Sequence, residues 1–130
     1  MKVAWIVDDD EEMNRAVRLM LTLLEFETHS YLDARAAARD LLTGKRPDLF
    51  VLDINMPEVS GLDLLEFLRR RPDFKTIPVV MLSTEAAEVL VDKTLWMGAD
   101  AYVTKPVAVD ELEAAVNNAF KAHGIVPGDK

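Results

Sequence analysis

Short apolar runs alternate along this chain with segments of helical spacing, and no other feature of the sequence constrains the fold as tightly. Val3 to Val7, Leu49 to Leu52, Val79 to Leu82 and Ala101 to Val103 are continuously apolar, and Thr28 to Tyr31 is a less apolar run. Runs this short without polar alternation suit strands buried on both faces. Between them lie apolar residues spaced by three and four: Met13, Ala16, Val17, Met20, Leu21 and Leu24, then Ala34, Ala37, Ala38, Leu41 and Leu42. The rhythm returns in Leu64, Phe67 and Leu68, in Ala87, Leu90, Val91 and Thr94, and in Leu112, Ala115, Val116, Ala119 and Phe120. Each set predicts a helix with one stripe facing a core. Ser60 with Asp63 forms a capping pair for the third helix, and Gly98 and Gly124 stand where helices should stop. Five such βα units predict an α/β fold: a doubly wound, five-stranded parallel sheet with right-handed crossovers.

Bulk properties narrow the function. At 130 residues, 50% of them hydrophobic, the chain can bury one real core. A formal charge of -8 repels duplexes and anionic membranes, so no direct nucleic-acid partner is expected. The absence of cysteine removes disulfides, thiolate metal sites and thiol nucleophiles. Met1-Lys2-Val3-Ala4-Trp5 lacks the shape of a secretory signal, and no apolar run reaches bilayer length. A cytoplasmic chain without a membrane partner is the expectation.

In an open α/β sheet the ligand site lies beyond the carboxyl ends of the strands. Four of the five runs deliver reactive groups there: Asp8-Asp9-Asp10, then Asp53, then Ser83, then Thr104-Lys105. Converging carboxylates stay ionised together only around a cation. With oxygen ligands and no neighbouring His or Cys, that cation should be Mg²⁺ or Mn²⁺. Such a pocket suits phosphoryl transfer, with a carboxylate as nucleophile and Ser83 and Lys105 of the types needed to hold phosphoryl oxygens. Asp10, Glu11 and Glu12 are expected to serve the first helix's N-terminus instead.

These residues resemble the response-regulator receiver domains of two-component signalling, from Lys2 to about Phe120. The resemblance rests on Val7-Asp8-Asp9, on Val51-Leu52-Asp53-Ile54-Asn55-Met56-Pro57-Glu58-Val59-Ser60-Gly61, and on Gly98-Ala99-Asp100-Ala101-Tyr102-Val103-Thr104-Lys105-Pro106. It implies a flavodoxin-like strand order of 2-1-3-4-5, a receiver unit over residues 1–123 and a tail over residues 124–130. It further implies that Asp53 accepts a phosphoryl group from a histidine kinase or phosphotransfer protein. Asp8, Asp9, Asp53 and the main-chain carbonyl of Asn55 would organise Mg²⁺, with Mn²⁺ able to substitute. Ser83 and Lys105 would contact the phosphoryl oxygens, Ser83 and Tyr102 would switch, and the bond to Pro106 would be cis. Asn55 and Glu85 would tune dephosphorylation, and their types resemble those of chemotaxis regulators. Output would run through the fourth helix, fifth strand and fifth helix to a downstream protein, where Val89 and Trp96 share an off-core side and could anchor that partner or a homodimer. Val107 and Ala101 depart from the family's usual phenylalanine and acid, and the second change removes a salt-bridge partner used by OmpR-like dimers.

Two other functions remain open at this level. Asp53-Ile54-Asn55 is superficially similar to the nucleophile segment of haloacid-dehalogenase-like phosphatases, although that family places it after the first strand. A degenerate receiver used only for docking is the second; a flavodoxin-like cofactor site is disfavoured because Asp8 to Glu12 would repel a phosphate. Trp5 and the methionines read as core, His29 and His123 as surface residues, and Arg69-Arg70-Arg71 as a solvated helix end.

Overall fold

A computed structural model describes residues 1–126. The greater part of the expected tail, 127–130, lies outside the described residues. The elements alternate without exception: β1 (Val3–Val7), α1 (Glu11–Leu23), β2 (Glu27–Tyr31), α2 (Ala34–Leu42), β3 (Leu49–Asp53), α3 (Gly61–Arg70), β4 (Val79–Ser83), α4 (Glu88–Trp96), β5 (Ala101–Thr104) and α5 (Val109–Ala122). All strand pairs are parallel, in the order β2-β1-β3-β4-β5. The five-stranded, doubly wound fold is therefore as the periodicity and the resemblance predicted.

Strand pleating divides the interior into two layers. Ala4, Ile6, Leu49, Val51, Val80, Leu82, Ala101 and Val103 pack with α1 and α5. Their neighbours Trp5, Val7, Phe50, Leu52, Val79 and Met81 face the opposite side, with α2 and α3. Both faces are thus apolar, which is why the strands read as continuous runs. β2 lies at the edge and is largely exposed, so its sequence Glu27 to Tyr31 tolerates polar side chains.

Local chemistry sets the helix ends. Asp10 caps α1 by accepting from the Glu12 and Met13 amides, and Ser60 and Asp63 form a reciprocal capping box on α3. Gly98 and Gly124 take φ of 115° and 72°, the left-handed region that ends a helix cheaply only in glycine. Beyond Gly124, Ile125 packs back onto the core and its amide donates to the Phe120 carbonyl at 2.9 Å.

Four expectations need correction. Leu42 is 58% exposed, because α2 ends there and the stripe has rotated away from the sheet; Ala87 caps α4 from outside the helix. Arg69 is no solvated helix end. Only 15% of its side chain is exposed; Nε donates to the Gly98 carbonyl (2.9 Å), Nη1 to those of Lys75 (3.1 Å) and Ile77 (2.8 Å), and Nη2 to Asp100 (3.0 Å). His123 is likewise drawn inward, with Nε2 at 2.8 Å from the same Asp100 oxygen. Burial lowers the Arg69 pKa, an effect that Asp100 opposes. α3, the approach to β4, the α4–β5 turn and the end of α5 are tied at one carboxylate, at the edge of the sheet where the strands begin.

Candidate functional site

The strand order places the carboxyl ends of β1, β3, β4 and β5 side by side. From β1, Asp8 is fully buried and Asp9 is exposed; from β3 comes buried Asp53. One carboxylate oxygen from each lies within 4.8 Å of the others. β4 ends in buried Ser83, and Lys105 follows β5, its backbone amide donating to the Ser83 carbonyl at 2.8 Å. The Lys105 Nζ stands 3.0 Å from Asp53 Oδ1 and 3.3 Å from Asp8 Oδ2, although 97 residues separate Lys105 from Asp8.

Electrostatics there are unbalanced. Burial pushes the Asp8 carboxyl above its ordinary range, the Asp10 amide (2.9 Å to Oδ1) pulls it down, Asp53 raises it and Lys105 lowers it. Burial lowers the Lys105 pKa, but Asp53 and Asp8 more than offset it, so the ammonium is held above lysine's usual value. One ammonium faces three carboxylates. Asp53 Oδ1, moreover, is buried without a directed hydrogen bond, the Lys105 contact being an ion pair off the hydrogen-bond geometry. A buried oxygen met by an ammonium but by no directed hydrogen bond, beside two further carboxylates, all hard donors, fits a divalent cation of the oxygen-binding kind.

Around this pocket the remaining predicted residues fall as follows. Asn55 lies exposed in the β3–α3 loop, its amide 3.3 Å from the Thr84 hydroxyl and 3.5 Å from that of Ser83. Ser83 Oγ accepts the Glu85 amide at 3.0 Å, and the Tyr102 hydroxyl donates to the Glu85 carbonyl at 2.7 Å, tying β5 to the β4–α4 loop. The Lys105–Pro106 peptide is cis. Val89 and Trp96 stand 81% and 89% exposed on α4. Gly61, the first residue of α3, is pressed so closely on the Asp53 backbone that a Cβ there would sit 2.2 Å from the Asp53 carbonyl oxygen.

Sequence reasoning passed over Asn14 and Thr84. Asn14 left a faint signal, a polar residue in register with Val17 and Leu21 on the buried side of α1. Thr84 left none. A cavity of about 550 Å³ lies elsewhere, between the end of α1 and α5, and is lined by none of these groups.

Fold and site together define a doubly wound α/β protein with an acidic, cation-competent pocket at its strand ends. The family model for the response regulator receiver domain matches residues 4–117, and the chain belongs to that family. The phosphate regulon transcriptional regulatory protein PhoB of Rhizobium meliloti (strain 1021) is 36% identical over 111 residues, 85% of this chain and 48% of the relative. The chain spans about half the length of the curated relatives it matches. Among solved structures, the receiver domain of Francisella response regulator 1452 aligns with a TM-score of 0.83 at 28% identity, over 94% of this chain and 98% of that one. The Mn(2+)-bound form of response regulator Rcp1 aligns at 0.75 and 28%, over 96% and 95%. Among the described residues no helix is long and apolar enough to cross a membrane.

Proposed function

We propose that this receiver domain is a phosphoryl-accepting switch with Asp53 as its acceptor. The observation that carries the reading is the buried Asp53 carboxylate, flanked by Asp8 and Asp9 and paired with Lys105 at 3.0 Å. Asp8, Asp9, Asp53 and the Asn55 main-chain carbonyl would hold Mg²⁺ or Mn²⁺. The existence of an Mn(2+)-bound form of the similar regulator Rcp1 supports that choice. When bound, the cation supplies charge neutralisation for the phosphoryl oxygens.

An Asp53 oxygen attacks the phosphorus of a phosphohistidine on a histidine kinase or phosphotransfer protein. The P–O bond forms, the P–N bond breaks, and the imidazole departs with the electron pair. Lys105 and Ser83 take phosphoryl oxygens as charge accumulates on them. Later attack by water on phosphorus releases phosphate and restores the carboxylate, with Asn55 and Glu85 at the mouth setting the rate. While the phosphoryl is present, Ser83 exchanges its Glu85 contact for a phosphoryl oxygen, and Tyr102 follows inward, shifting an existing equilibrium. The chain thus promotes its own phosphorylation and dephosphorylation rather than turning over a separate substrate. Placement of Asp53 at the end of the third strand rather than the first favours this over a haloacid-dehalogenase-like phosphatase.

Incubation with a small phosphodonor and Mg²⁺, followed by intact mass, tests the proposal. The wild type should gain one phosphoryl and Asp53→Ala none; equal labelling of both would exclude Asp53. Multiple turnover of a phosphomonoester would favour the phosphatase.

The same reading assigns output to α4, β5 and α5. Trp96, 89% exposed, is the type of residue that anchors interfaces. Trp96→Glu should therefore leave folding intact and weaken binding to the downstream protein, or to a second copy, by about 2 kcal/mol. Undiminished binding to both would remove this face from the proposal.

A further inference from the structure

We propose that Asn14 is a positioning residue for the acidic pocket: its buried amide holds the Asp8 backbone in register with the sheet and so sets the affinity for a divalent cation. The inference rests on reading Asp8, Asp9 and Asp53 as a cation site.

Asn14 lies one turn into α1 and is only 3% exposed, in a stripe completed by Val17 and Leu21. Its Nδ2 donates to the main-chain carbonyl of Asp8 at 3.1 Å and to that of Tyr31 at 3.0 Å. The Asp8 amide donates to the same Tyr31 carbonyl at 3.0 Å. One side chain therefore joins the carboxyl ends of β1 and β2 to the first helix. Rotating the amide by half a turn would set its oxygen against two carbonyl oxygens, so the donor orientation is the physical one.

That orientation leaves Asn14 Oδ1 buried with no hydrogen-bond partner. A buried, half-satisfied amide is a poor choice for stability, since an apolar residue of similar size would fit the stripe without stranding an acceptor. What the amide secures is placement. Asp8 Oδ1 accepts the Asp10 amide at 2.9 Å, and Asp10 in turn caps α1. The Asp8 carboxylate, the N-cap and the helix form one unit, and Asn14 is the pin between that unit and the sheet. Remove the pin, and the Asp8 carbonyl loses this donor while the β1–α1 connection can turn, spreading the oxygens that now converge within 4.8 Å. Residues that orient ligands from behind in this way change metal affinity without touching the metal.

The test measures Mn²⁺ binding to the whole chain by calorimetry for wild type, Asn14→Leu, Asn14→Ser and Val17→Ala. Val17 is buried in the same stripe with no hydrogen bond to Asp8, so its substitution controls for lost stability. Asn14→Leu should weaken Mn²⁺ binding by about 10- to 100-fold, Asn14→Ser, with one donor, should fall between it and wild type, and Val17→Ala should bind as wild type does. Hydrogen exchange in the absence of metal provides a second readout: the Asp8 amide should exchange faster in Asn14→Leu than in Val17→Ala. If Asn14→Leu does not fold, Asn14→Ser carries both measurements. Wild-type affinity in the Asn14 variants, or an equal loss in Val17→Ala, overturns the proposal alone. A wild type that takes up no Mn²⁺ overturns the cation site and the proposal with it.

Discussion

Gly61→Ala should lower stability by about 3 kcal/mol and, on the proposed function, slow labelling of Asp53 by a small phosphodonor by about 100-fold. The expectation follows from contact rather than from glycine's flexibility. A Cβ at position 61 would lie 2.2 Å from the Asp53 carbonyl oxygen and 2.8 Å from its carbon, and the obstacle is backbone, which cannot rotate aside. Either the first turn of α3 lifts off the sheet or the end of β3 moves with its carboxylate. The first route strains the capping box of Ser60 and Asp63 that holds the helix start in place. The second displaces the Asp53 carboxylate from Lys105 and the other carboxylates. Urea denaturation measures the stability loss, and the rate of labelling by a small phosphodonor measures the displacement. A variant with wild-type stability and rate would mean that the contact relaxes at no cost.

Arg69→Ala should destabilise the fold by about 3 to 5 kcal/mol, whereas Arg70→Ala and Arg71→Ala should each cost under about 1 kcal/mol. The three adjacent arginines are chemically alike and differ only in where the backbone at the end of α3 points them. Arg69 is nearly buried and satisfies three main-chain carbonyls and the Asp100 carboxylate. Its loss leaves those acceptors short of donors and Asp100 with the Val79 amide and His123 as remaining partners. Arg69→Lys should recover little, because an ammonium cannot reproduce the planar fork. Arg70 instead reaches Glu66 at 3.5 Å in solvent, and Arg71 lies over the Phe67 ring at 4.7 Å; contacts of these kinds contribute a few tenths to about 1 kcal/mol. Thermal or urea unfolding of the three variants decides the matter, and equal losses would refute the hub.

Much of the fold was legible because the information is local. A strand buried on both faces must be apolar at every position, a helix on a sheet must be apolar at every third or fourth, and both patterns are written in consecutive residues. The capping box on α3 and the glycine after α4 are equally local, resting on residues within a turn of one another. Candidate site residues were legible for a related reason: α/β topology sends the carboxyl end of every strand to one edge, so the first polar residue after an apolar run is a candidate wherever the strand lies in the sheet.

Arg69 and His123 were misread because their surroundings come from distant segments. A helix-end arginine before two more arginines looks solvated until β5 brings Asp100 beneath it, 31 residues later in the chain. Asn14 gave a pattern break in its stripe but no sign of the two carbonyls it would meet, one of them 17 residues away. Close packing of α3 on β3 made the Gly61 contact, and no spacing rule encodes it.

The sequence by itself determined the alternation of strands and helices, the charge that disfavours polyanions, and the set of oxygen and ammonium groups at the strand ends. Tertiary structure decided which of those groups meet. The order β2-β1-β3-β4-β5 makes neighbours of four strands whose ends carry Asp8, Asp53, Ser83 and Lys105, and leaves β2 outside that group. Burial then turns proximity into chemistry, because with little water to screen them the Asp8 and Asp53 carboxylates interact strongly with each other and with Lys105.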